Sequence, residues 1–257
     1  MVSSEGTDLR LGPERYIRAS GEASRLASRL EGRTPVAITG EASFAVFTAA
    51  GGGFDLSRVL RYDGTVTVRD VERLASSAAR LHADAIVGIG GGRVCDTAKC
   101  VADRLRVDCV EFPTIAATCA SFSTISVMYD DDHRRIGSET PRHCARAVIV
   151  DSDVIASAPT GYRCSGIADT LAKWYEARSI STNITSLTPA EALGLHAALT
   201  TWKTLDDYAS KALQENESGV AGDSLGRVVD AVIPVSGSVA GFAGRNGRSS
   251  GAHAIHN

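Results

Sequence analysis

The chain has 257 residues, 44% of them apolar and 22% charged, with a formal net charge of −3. That balance is ordinary for a globular protein with a real core, large enough for one big or two ordinary domains. It gives no basic surface for nucleic acid or an anionic membrane, no apolar run approaches the ~20 residues that cross a bilayer, and the polar opening residues make no secretory leader.

Residues 1–34 are polar and broken, with Tyr16 and Ile17 as a short edge strand and Leu26 and Leu30 on a short helix. Residues 35–39 (PVAIT) read as the first core strand, and Gly40 and Glu41 as its exit. Gly51 to Gly53 have no strand before them and no clear helix after them, so this triplet reads as a loop. Val59 and Leu60 precede a turn at Asp63 and Gly64. Thr67 and Asp70 resemble a helix-capping pair, followed by one apolar face formed by Val68, Val71, Leu74, Ala78 and Leu81. A buried strand is predicted over 85–89, a helix over 93–106 and another strand over 107–112. Residues 123–129 and 147–150 are further strand candidates.

After Pro159 strands cease. Helices are predicted over 164–178, 189–213 and 225–235, and residues 236–257 are crowded with glycines (237, 241, 244, 247, 251) that permit close helix approach. Alternating strands and helices followed by helices alone imply an α/β, doubly wound parallel nucleotide-binding domain and then an incomplete all-helical domain. The boundaries are 1–158 for the dinucleotide-binding domain and 159–257 for the partial helical metal- and substrate-binding domain, with a hinge near 157–162.

The segment 88–99 (GIGGGRVCDTAK) carries the most chemistry. A short apolar run leads into three glycines, Gly90 to Gly92, and then Val94, Ala98, Val101 and Leu105 recur at helical spacing. A strand, a glycine turn and a helix N-terminus in that order form an anion site, most often for phosphate. Six cysteines (95, 100, 109, 119, 144, 164) occur without a C-x-x-C pair. They indicate neither a zinc knuckle nor a redox motif, and they fit a reducing cytoplasm, where the sequons at Asn183 and Asn216 carry no weight. Asp169 lies early in a helix with Lys173 four residues on, the spacing of a helix-face ion pair. His253 and His256 are three apart and share a helix face, which allows metal binding without demanding it.

Together these pieces resemble the iron- or zinc-dependent polyol dehydrogenases, the glycerol dehydrogenases above all. The resemblance runs through residues 12–17, 88–99, 112–118, 123–129, 147–159, 165–172 and 251–257. It implies NAD(H) between two domains, with Gly91, Gly92, Arg93 and Asp96 at the dinucleotide. Thr114, Thr118, Ser123, Ile125 and Tyr129 would line its nicotinamide half. Glu41 would accept from the adenosine ribose hydroxyls, which disfavours a 2′-phosphate and selects NAD over NADP. Asp169 and His253 would be catalytic ligands of a divalent ion, zinc or alternatively iron, whose open position lowers the pKa of a substrate hydroxyl before hydride leaves for the nicotinamide.

Three departures accompany the resemblance. The family's third metal ligand, a histidine, falls beyond residue 257, so the site is incomplete in this chain. Cys119 stands at the substrate position where those enzymes carry an aspartate, which weakens polyol recognition. Arg93 replaces the lysine of the glycine motif, exchanging a point charge for a planar fork. The shortened helical domain leaves apolar faces on 164–178 and 189–213, which predicts a homo-oligomer. The expected function is NAD- and metal-dependent oxidation of glycerol or a related small polyol or alcohol. The alternatives are a catalytically impaired relative that keeps dinucleotide binding as a regulatory protein, and a glycerol-1-phosphate dehydrogenase.

Overall fold

In a computed structural model, residues 9–181 and 187–243 are described. Six strands form one parallel sheet: β1 (Arg15–Ala19), β2 (Pro35–Thr39), β3 (Val59–Arg61), β4 (Ala85–Gly90), β5 (Asp108–Pro113) and, after an intervening hairpin, β8 (Ala147–Asp151). The hairpin pairs β6 (Ser126–Tyr129) with β7 (Arg135–Glu139), antiparallel. The helices are α1 (Glu22–Arg29), α2 (Glu41–Ala49), α3 (Val68–Arg80), α4 (Gly92–Leu105), α5 (Ser152–Ser157), α6 (Thr160–Ser181), α7 (Pro189–Glu217), α8 (Asp223–Asp230) and α9 (Ser236–Ala243).

The sheet order is β1-β8-β5-β4-β2-β3. From β2 the chain steps outward to β3, returns past β2 to β4, and then runs the other way through β5 to β8. The order reverses between β2 and β4, and ligands of open α/β sheets bind in the crevice beyond the strand ends at such a point. Both faces of the sheet are covered, so its strands read as apolar runs rather than alternations. Val36, Ile38 and Ile86 pack with Val71 and Leu74 of α3 and Ala98 and Val101 of α4. Ala37, Val87, Ile89 and Phe112 point the other way, toward Leu26 of α1 and Phe44 and Phe47 of α2.

The expected change after Pro159 is present: α5 ends at Ser157, and every described element beyond it is helical. The helical part packs on β8, where Val148 and Val150 meet Leu225, Val228 and Val232. It is also latched to the edge strand. Asp230 accepts from Tyr16 Oη at 2.8 Å and from both forks of Arg18 at 2.7 and 2.8 Å. The sequon residue Asn216 is buried and donates to the carbonyls of Ala156 and Ala158, pinning α7 to the crossing between the two parts.

Several local expectations need correction. Residues 41–49 form α2, which has no amphipathic period to reveal it because EASFAVFTA is apolar nearly all round. β7 was not foreseen; its burial pattern is largely exposed. Val68 is 49% exposed and does not share the buried face of α3. Thr67 caps Asp70 N, but the Asp70 carboxylate turns to Asp63 N and Arg73 instead of closing the box. Residues 223–242 form one helical run, through a π-helical turn at Ala231–Val235 that accommodates Pro234. At 20 residues and a mean hydropathy of 1.3 it is, by length and composition alone, enough to cross a membrane, but Asp223, Arg227 and Asp230 interrupt it and most of it is buried within the fold. Gly237 and Gly241 do permit close approach, to Phe122 and to Arg10 and Leu11 respectively, rather than to another helix.

Gly88 sits where β4 meets α4. A methyl group there would overlap Glu111 Oε2 and lie 2.8 Å from Ala98 Cβ. Gly88→Ala should therefore destabilise the protein by about 1–3 kcal/mol, read as a lowered urea midpoint with an unchanged slope.

Candidate functional site

The crevice between β2 and β4 is closed at its floor by Thr39, whose Oγ1 donates to Ile89 O at 2.7 Å. Each strand there runs straight into a helix through a glycine N-cap: Gly40 for α2 and Gly91 for α4. Neither cap offers a side-chain acceptor, so the first-turn amides of both helices are left without intrahelical or capping partners. Gly91 has φ −80°, open to any residue, so it is room and not dihedral freedom that the glycines supply. A Cβ on Gly91 would stand 2.9 Å from Ile115 Cδ1, and one on Gly92 2.9 Å from Thr118 Oγ1. The result is a narrow cradle of amides facing the segment that follows β5, the geometry of an anion site at a helix N-terminus.

Around this cradle stand most of the residues singled out in the sequence. Glu41 lies exposed in the first turn of α2. Arg93 is exposed, reaches Gly64 O at 3.3 Å and lies over the Tyr129 ring at 5.1 Å. Thr114 is buried, and its amide donates to Gly90 O at 3.1 Å, extending the β4–β5 pairing past the strand ends. The Thr118 hydroxyl accepts from Ala120 N and the Ser123 hydroxyl from Ile125 N, so both shape the turns of the loop that carries them.

That loop is held by a residue the sequence reading passed over. Lys99, on α4 and buried, donates to Ala120 O at 2.8 Å, Ser123 O at 3.2 Å and Ile125 O at 2.5 Å. Asp96 Oδ1 lies 2.9 Å from the same ammonium, while Asp96 Oδ2 accepts from Val127 N at 3.1 Å. Burial alone would lower the Lys99 pKa, but Asp96 and Glu111 outweigh it, and the ammonium is held charged. The Asp96 carboxylate is thus turned into the protein, one helical turn below the cradle. Of its four partners only Asp96, three residues back on α4, has a local spacing to mark it; the others are backbone carbonyls 21, 24 and 26 residues away.

A second cluster forms where this loop meets the helical part. Gly166 of α6 packs so tightly on the loop that a Cβ would overlap Ala116 O. Further along α6, Lys173 Nζ lies 3.3 Å from Asp169 Oδ2, the helix-face pair anticipated from the spacing. The same ammonium donates to Cys119 Sγ at 2.9 Å and Ser236 Oγ at 2.7 Å. Burial opposes its charge, and Cys119 and Asp169 more than offset that, raising its pKa above the usual lysine value. Asp169 and Cys119, the candidate metal and substrate residues, are thereby brought together. His253 and His256 lie outside the described residues. Among the described residues no group of three or more His, Cys, Asp or Glu side chains could hold a metal ion.

Comparison with known proteins places this geometry. The family described as iron-containing alcohol dehydrogenase matches residues 13–152. The chain belongs to that family. Its relatives include a hydroxycarboxylate dehydrogenase A of Escherichia coli K12, 35% identical over 205 residues, which covers 80% of this chain and 56% of the relative. A glycerol dehydrogenase of E. coli O6:H1 is 32% identical over 258 residues, covering 95% and 68%. A solved structure of a probable glycerol dehydrogenase from Sinorhizobium meliloti 1021 superposes with a TM-score of 0.84 at 31% identity, covering 95% of this chain and 69% of that one. The chain thus spans little more than half the length of the hydroxycarboxylate dehydrogenase. The family match confirms the doubly wound fold expected from the alternation of strands and helices.

Two consequences are measurable. Lys99→Met leaves the buried Asp96 carboxylate without its cation and should destabilise the protein by about 3–5 kcal/mol; adding Asp96→Asn should recover part of that loss in a double-variant cycle. Glu111, fully buried near Cys95, Cys109 and Lys99, is pushed up to about 8, mainly by burial. The unfolded chain releases this proton near pH 4.5 and the folded chain only near 8. The folded state therefore binds more protons in that window, and stability falls as pH rises through it, by up to about 1.4 kcal/mol per unit. Glu111→Gln should flatten that part of a stability–pH profile, and an unchanged slope would contradict the assignment.

Proposed function

We propose that the protein is an NAD-dependent, metal-assisted oxidoreductase of a small hydroxy compound. The observation that carries this is the pair of uncapped glycine helix starts at the reversal point of the sheet, where any Cβ on Gly91 or Gly92 would intrude on Ile115 or Thr118. Iron-containing alcohol dehydrogenases use NAD and a metal, and the relatives' names (hydroxycarboxylate dehydrogenase, glycerol dehydrogenase) are those of oxidoreductases. This favours an enzyme over a regulatory protein that has lost its chemistry.

The amides of the first turn of α4 would hold the pyrophosphate, and Glu41, beside the other glycine cap, would accept from the adenosine ribose. The segment Thr114 to Tyr129, held in place by Lys99, would shape the nicotinamide end. Asp169 fits a divalent ion in one respect: its carboxylate already pairs a cation where the loop meets the helical part. The second proposed ligand, His253, is outside the described residues, and both zinc and iron suit an oxygen and imidazole set. Bound there, such an ion would supply the Lewis acidity that lowers a substrate hydroxyl pKa. The chain's own contribution is alignment and electrostatics, with no protein nucleophile needed. A reducing cytoplasm fits six cysteines that are all free thiols.

Gly91→Val should reduce NADH affinity at least about a hundredfold, because its branched side chain would fill the cradle. Titration by protein-to-nicotinamide energy transfer, with circular dichroism to show a retained fold, checks this; undiminished affinity in the variant would overturn the reading.

A further inference from the structure

We infer that Cys119 and Lys173 are the two halves of a redox lock: hydrogen peroxide joins them through a single bridging oxygen, Sγ–O–Nζ, and a thiol reductant releases them. The Lys173 ammonium stands 2.9 Å from Cys119 Sγ. The other hydrogen bonds involving sulfur among the described residues run from 3.3 to 3.9 Å. Both atoms are held in place. Lys173 directs its three N–H donors to Cys119, to Ser236 Oγ at 2.7 Å and to Asp169 Oδ2 at 3.3 Å. The Cys119 carbonyl accepts from Phe122 N and Ser123 N, both at 2.9 Å, and Lys99 grips the next carbonyl, Ala120 O. Groups held within about 3–3.5 Å of each other react as if at very high concentration. The separation exceeds a direct S–N bond and suits one intervening oxygen. Cys119 is partly exposed, so peroxide meets the sulfur from solvent and needs no binding pocket, whereas Cys95, Cys100 and Cys109 are buried.

The chemistry takes two molecules of peroxide. The first oxidises the sulfur by two electrons: the S–H bond becomes S–OH, a sulfenic acid, and one water leaves. The second oxidises the nitrogen by two electrons. The sulfenic O–H bond and one N–H bond are lost, the O–N bond forms, the peroxide becomes two waters, and one ammonium proton goes to solvent. Relative to the neutral thiol and amine, the product has gained one oxygen and lost two hydrogens. The bridge ties the loop after β5 to α6 across 54 residues of chain, beside Asp169. Cysteine spacing does not reveal such a link, because its second partner is a lysine.

The test titrates the full chain, purified under reducing conditions, with hydrogen peroxide, followed by digestion and mass spectrometry. Wild type should yield a peptide pair joining Cys119 to Lys173, heavier than the sum of the two by one oxygen less two hydrogens, and dithiothreitol should return the separate peptides. Cys164→Ser should keep the pair, and Cys119→Ser and Lys173→Arg should lose it. The bridged protein should melt about 3–10 °C above the reduced protein, because the link closes a long loop in the unfolded chain. Cys119 that ends as sulfinic or sulfonic acid beside an unmodified Lys173, or that bridges to any other residue, overturns the inference. A bridge that leaves the melting temperature unchanged overturns its role as a lock. These wild-type outcomes decide the matter even if a variant fails to fold. They are independent of NADH binding, whose failure would strike only at the proposed oxidoreductase function.

Discussion

One buried cation holds this structure's functional end together. The Lys99 ammonium gathers three loop carbonyls and the Asp96 carboxylate, within a core where an unpaired charge would be severely penalised. Because α4 starts at the glycine cradle and is buried from Val94 to Ala102, tying the loop to α4 fixes it relative to the cradle. Thr118 is thereby set against Gly92, and Cys119 is delivered to the helical part. The loop has no regular secondary structure of its own between β5 and β6, so this knot replaces a ladder of hydrogen bonds.

The helical part is positioned by contacts of a different kind. Gly166 and Gly237 let α6 and α9 come up against Ala116 and Phe122 without an intervening side chain. Asp230 binds the edge strand through Tyr16 and Arg18, and Asn216 ties α7 to the crossing. The junction of loop and helices is consequently assembled from residues on β5's exit, α6 and α9. Its charges, Asp169 and Lys173, both stand on α6, and the assembly brings Cys119 of the loop and Ser236 of α9 to Lys173.

Much of this was legible in the sequence wherever local chemistry decides structure. The 88–99 motif reads correctly because strand, glycine turn and helix are contiguous, and the Asp169–Lys173 pair because its spacing is helical. The helix α2 was missed because an all-round apolar segment carries no period, and β7 because its exposed alternation resembles a loop. Lys99 was legible only in its pairing with Asp96, which has helical spacing; its other three partners are backbone atoms, which no residue type advertises. Cys119 and Ser236 were brought to Lys173 across 54 and 63 residues of chain, a proximity only the fold supplies.

The central claim is that the α4 amides at Gly92 to Val94 are the anion-binding groups of the protein. Hydrogen–deuterium exchange at those amides, with and without saturating NADH, addresses it directly. Lacking intrahelical or capping partners, they should exchange readily in the ligand-free protein and become strongly protected once NADH is added. Tight NADH binding that leaves their exchange rates unchanged would contradict the account.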